Sequence, residues 1–138
     1  MAKVRKLLVC CGGRHLTQSS NPAAYKRIMG AVDGYAPTHV IVGNQRGGDE
    51  LWQHVVTRMS RAEAQLLVVE PTQALLDAEG GAAYRARTKL LWELAQALWT
   101  SSEVAVACFA LPGGPGTTLC TREAEKLGVE VTRFPWEP

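Results

Sequence analysis

The feature that most restricts the fold is a recurrence. Short apolar runs, rich in β-branched residues, repeatedly stop at a loop bearing glycine or proline, and a segment with helical apolar spacing follows each time. Val4 to Cys11 stops at Gly12-Gly13, Thr38 to Val42 runs into Gly43 through Asp49, and Ala64 to Glu70 ends at Pro71. Val104 to Phe109 leads into Leu111 through Thr118, and a last run covers Val129 to Phe134. Between them, Tyr25, Ile28, Met29 and Val32 share one helical face, opened by Ser20 or Asn21 with Pro22 and closed by Gly34. Leu51, Trp52, Val55, Val56 and Met59 form a second such face, which Asp49 can cap. Leu90, Leu91, Leu94, Ala95 and Leu98 mark a long helix from Ala82 to Trp99, and a fourth helix reaches Leu127 with Gly128 as its C-terminal stop. Only 72–81 resists assignment. Continuous apolar strands alternating with amphipathic helices predict an α/β, Rossmann-like three-layer sandwich with a mostly parallel sheet of five or more strands.

At 138 residues, without repeats, linkers or low-complexity stretches, the chain is read as one domain spanning 1–138. Its formal charge of +2 is too small for a general nucleic-acid binder, and no Lys/Arg run stands out. The early apolar stretch, Leu7 to Cys11, is too short for a signal peptide and nothing later approaches a membrane span, so a cytoplasmic protein without membrane contact is expected. Cys10, Cys11, Cys108 and Cys120 show no Cys-x-x-Cys spacing, and adjacent cysteines on a strand point to opposite faces. Neither a disulfide framework nor a metal site is expected. The four read as buried free thiols that pack as small hydrophobes.

In a parallel sheet of this kind ligands bind outside the carboxyl ends of the strands, where the strand order reverses. The loops after strands one, two and four are all glycine-rich. That from Pro112 to Thr118 carries Gly113, Gly114 and Gly116, which let the backbone approach a ligand, ahead of a helix whose first N–H groups and positive dipole end suit phosphate. Thr117 and Thr118 either add hydroxyl donors or cap that helix. No lysine is present for a Walker-type loop, and Leu119 occupies the third glycine of a Gly-x-Gly-x-x-Gly pattern, so ATP hydrolysis and dinucleotide redox chemistry lose ground.

Four ordered motifs carry a resemblance: Gly12-Gly13-Arg14, Gly43-x-x-Arg46-Gly47-x-Asp49, Arg87 on the long helix, and Pro112-Gly113-Gly114-x-Gly116-Thr117. Together they resemble the SLOG superfamily, in its YspA-related branch, over nearly the whole chain. The resemblance implies a Rossmann-like fold that binds a nucleotide or nucleotide derivative, and no further cofactor. It is similar more distantly to the Lonely Guy phosphoribohydrolases, which cleave the base from nucleoside monophosphates. There the Pro-Gly-Gly-x-Gly-Thr motif runs into paired catalytic glutamates, whose positions here hold Leu119 and Cys120. The family arginine corresponds to Arg87, although the branch usually has Asn next, where this chain has Thr88.

The expected ligand-binding set is therefore Gly12, Gly13, Arg14, Gly43, Arg46, Gly47, Asp49, Arg87, Pro112, Gly113, Gly114, Gly116, Thr117 and Thr118. Arg14, Arg46 and Arg87 would supply charge, and Asp49 would accept from a ribose hydroxyl. The first expectation is a sensor or binding module for a nucleoside monophosphate or an ADP-ribose-like molecule. The alternative is an enzyme hydrolysing the N-glycosidic bond of a nucleoside 5′-monophosphate, in which Asp49 or Glu70 would stand in for the missing glutamates and Arg87 is a further catalytic candidate. A third reading keeps the sheet with an empty site and uses the Trp-bearing helix as a contact surface. His15, His39 and His54 share no spacing, and Trp52 is the aromatic nearest the second loop. Trp92 and Trp99, seven apart, suit a core or a dimer contact, and a homo-oligomer, a dimer, is expected.

Overall fold

A computed structural model describes residues 5–12, 22–43, 48–58, 65–69, 77–78, 80, 83–98, 104–113 and 115–135. Among these are five strands, β1 (Arg5–Cys11), β2 (His39–Gly43), β3 (Gln65–Val69), β4 (Val104–Ala110) and β5 (Glu130–Arg133). Four helices connect them: α1 (Pro22–Tyr35), α2 (Gly48–Arg58), α3 (Ala83–Leu98) and α4 (Pro115–Lys126). The strands form one all-parallel sheet in the order β3-β2-β1-β4-β5. The α/β sandwich expected from the sequence is what forms.

The pleat divides the central strands between two cores. Leu8 and Cys10 of β1, with Val40, Val42 and Phe109, pack against Ala24, Tyr25, Ile28 and Val32 of α1 and Leu51, Trp52, Val55 and Val56 of α2. Leu7, Val9 and Cys11, with Ile41, Cys108 and Ala110, face Leu91, Trp92 and Ala95 of α3 and Cys120 and Ala124 of α4. Cys10 and Cys11 thus point to opposite faces, as their adjacency on a strand requires. This split of helices is the one that right-handed crossovers impose: the chain steps outward from β1 to β3, returns to β4, and steps outward again the other way.

The amino edge of the sheet is tied shut. Thr38 Oγ1 accepts from the Lys6 N–H at 2.9 Å, the Thr38 N–H donates to the Lys6 carbonyl at 2.8 Å, and the Tyr35 hydroxyl donates to the Leu7 carbonyl at 3.1 Å. At the far end of α4, Gly128 takes φ +75° while the Val129 N–H returns to the Ala124 carbonyl at 2.9 Å. Gly128 is therefore the left-handed C-terminal stop that the sequence implies. At the end of α1 the same bend is made by Ala36, at φ +52°, whose N–H reaches the Val32 carbonyl.

Most ends shift by a residue, as where α1 runs past Gly34 to Tyr35 and β2 and β4 reach Gly43 and Ala110, and two differences bear on the site. α4 starts at Pro115, so Gly116, Thr117 and Thr118 lie in its first turn rather than on the preceding loop, and neither threonine stands at the cap position. Proline is well suited to a first helical position, because its missing N–H has no partner to lose there. α2 starts at Gly48, which puts Asp49 inside the first turn instead of ahead of it. No described helix is long and apolar enough to cross a membrane.

Candidate functional site

The strand order reverses between β1 and β4. After β1 the chain leaves to one side of the sheet and after β4 to the other, so the two exits part and leave a crevice at the carboxyl edge. Pairing of Cys11 with Ala110 brings Gly12 beside Leu111 and Pro112. The Cys11 carbonyl fixes this floor by accepting two hydrogen bonds, from the Leu111 N–H and from the Trp52 indole N–H, both at 2.9 Å. Trp52 is fully enclosed, its ring centroid 6.2 Å from those of Phe109 and Phe134. Its indole braces the crevice from beneath and is not presented to a base.

Above the floor, Pro112 and Gly113 are exposed and lead to the start of α4. The N–H groups of Gly116 and Thr117 belong to the opening of the helix, where it offers no acceptor of its own, and Pro115 has no N–H to add. No acidic residue lies in that turn. Thr117 is half-buried and Thr118 exposed; the Thr118 carbonyl accepts from Thr121 Oγ1 at 3.0 Å. The turn is thus an electropositive, carboxylate-free end of a helix at the mouth of the crevice, suited to an anion.

Of the other expected residues, Gly43 closes β2 at the same edge, one strand from β1. Arg87 is not an exposed helix-face arginine. It is 5% exposed on α3, within reach of α4, where its charge acts on Cys120. Thr88 beside it is also buried. Gly13, Arg14, Arg46, Gly47, Glu70 and Gly114 lie outside the described residues, as do His15 and Trp99. His39 sits at the amino edge, away from the crevice, with its ring against Thr38 Oγ1, and the His54 ring on α2 meets Tyr25 edge-on at 6.5 Å. Trp92 is a core residue of the α3 and α4 face.

All four cysteines are buried and free. Sequence reasoning missed that three of them converge: the sulfur atoms of Cys11, Cys108 and Cys120 lie within 4.8 Å of one another. Hydrogen bonds from Cys108 and Cys11 hold the Cys120 thiol well below its ordinary range against the opposing effect of burial, with help from the Trp92 indole and the Arg87 charge. The Cys11 thiol is pushed well up by its hydrogen bonds with Cys108 and Cys120 and by burial. For Cys108 the hydrogen bond with Cys11 lowers the value, but that with Cys120 and burial outweigh it and leave the thiol raised.

Fold and crevice together define an α/β protein with an anion-ready helix start at the switch point of a parallel sheet. Neither the protein-family models nor the curated proteins contain a match to this chain.

Proposed function

We propose that this chain binds a nucleotide or nucleotide derivative, a nucleoside monophosphate or an ADP-ribose-like molecule, as a sensor or binding module of the SLOG kind. The phosphate rests on the first turn of α4, with Gly12, Gly43, Pro112 and Gly113 allowing close backbone approach and Arg87 adding positive charge from α3. The observation that carries this reading is the reversal of strand order at β1 and β4, with glycine-bearing exits on both sides of it. Binding is favoured over hydrolysis because the positions of the hydrolases' glutamates hold Leu119, partly covered, and Cys120, buried in the core. Neither offers a carboxylate to an anomeric carbon. Four free thiols suit the reducing cytoplasm in which such a ligand would be met.

Native mass spectrometry of the freshly purified protein, followed by denaturation, tests the reading. A released phosphate-bearing species of nucleotide mass is expected; if none is found, a thermal-shift panel of nucleoside monophosphates and ADP-ribose derivatives follows, and silence across that panel overturns the proposal. Two copies are proposed to pair through α3, which exposes Leu90 (50%) and Leu94 (38%) one turn apart while Trp92 is spent on the core. Light scattering should give twice the chain mass for the native protein and a single chain mass for Leu90→Glu/Leu94→Lys; a monomeric native protein refutes the pairing.

A further inference from the structure

Beneath the crevice, Cys11 at the end of β1, Cys108 on β4 and Cys120 on α4 bring three sulfur atoms to one point. We propose that these three residues form a binding site for a soft, thiophilic d10 cation, copper(I), held in trigonal sulfur coordination. This site is independent of the nucleotide reading.

The sheet register builds two of its corners. Cys11 pairs with Ala110 and Cys108 with Val9, so the two cysteines are diagonal neighbours on the same face of adjacent strands, and α4 lays Cys120 over them. They are 7%, 0% and 3% exposed, packed within the apolar core of that face, with the Trp92 indole and the Arg87 charge beside Cys120. Metal–sulfur bonds of about 2.3 Å in a plane put the sulfurs about 4.0 Å apart, within an ångström of the 4.8 Å bound observed here. A disulfide would need two of them at about 2.05 Å. No such bond ties up any of the three, so all are available to a shared ion.

The donor set selects the ion. Among the described residues no imidazole or carboxylate joins the three sulfurs. Zinc in a structural site takes four ligands, and magnesium and calcium require oxygen, whereas thiolates select copper(I). On binding, each ligating thiol passes its proton to solvent, and copper remains in the +1 state throughout. Three thiolates around a single positive charge leave a negative excess, and the buried Arg87, whose charge acts on Cys120, offsets part of it. Cys11 continues directly into Gly12, so the crevice floor is the entry side.

The test is anaerobic titration of the reduced full chain with copper(I) against a chromophoric copper(I) chelator, with X-ray absorption of the loaded protein. One equivalent is expected, with three sulfurs and no nitrogen or oxygen in the first shell. Uptake should fall from one equivalent to none in Cys11→Ala, Cys108→Ala and Cys120→Ala, and persist in Cys10→Ala, whose thiol faces the other core. Where an alanine variant does not fold, the sulfur count of the native protein decides alone. No uptake, a two-sulfur linear site, uptake unchanged in the folded variants, or equal competition by zinc(II) would each overturn the assignment.

Discussion

Ala36 and Gly128 end their helices with the same left-handed backbone, at φ +52° and +75°, but only glycine takes that conformation without strain. An added Cβ at Gly128 would meet nothing within 4 Å, so the cost of Gly128→Ala is conformational alone. A loss of about 1 kcal/mol is expected in denaturant unfolding. Ala36→Gly should move the other way, gaining up to about 1 kcal/mol as relief of strain exceeds the added freedom of the unfolded chain. At Arg87, substitution by methionine keeps most of the length and removes the charge. If the residue serves the bound phosphate, affinity for a nucleoside monophosphate should fall about 10- to 100-fold, equivalent to about 1.5–3 kcal/mol, as read by isothermal titration. Unchanged affinity would remove Arg87 from the proposed site. The burial of Arg87 was not visible in the sequence, because an arginine early in an amphipathic helix reads as solvated until a second helix covers it.

The start of α4 separates a structural from a binding role. Thr118 is exposed in its first turn, so Thr118→Glu places a negative charge at the positive end of the helix dipole. The apo protein should gain about 0.3–1 kcal/mol in stability while losing its phosphate-bearing ligand. A thermal-shift assay with and without ligand reads both effects, and a variant that still binds fully places the phosphate elsewhere. Most elements were legible because their apolar periods agree with their lengths and stops, as in Val104–Ala110 or the Gly128 terminus. The start of α4 is the exception, since the sequence reading runs the loop on to Thr118 whereas the helix opens at Pro115. Pro-Gly-Gly-Pro-Gly has the composition of a loop, and composition does not reveal that its second proline opens a helix.

Across the whole molecule, alternation alone implied a parallel sheet, but the order β3-β2-β1-β4-β5 is what selects the loops after β1 and β4 as the two walls of one crevice. The sulfur cluster was beyond sequence reasoning for the same cause. Cys11 and Cys108 stand 97 residues apart in the sequence, and only the β1–β4 register makes them neighbours. Trp52 offers a test at this scale, since its indole joins the helix after β2 to the end of β1. Trp52→Phe keeps a ring against Phe109 and Phe134 but removes the N–H, and should cost about 1 kcal/mol in chemical unfolding. Trp52→Ala should cost about 3–5 kcal/mol, as expected for emptying a fully enclosed aromatic site. The Cys11 carbonyl would keep its Leu111 partner in both variants.

That shared carbonyl also equips the protein with a gauge of its own. The Trp52 indole proton is sealed from water and bonded to the last residue before Gly12. Its exchange with deuterium therefore times the opening of the crevice floor, and one resonance in a proton–nitrogen spectrum, followed with and without ligand, reports whether occupancy slows that opening.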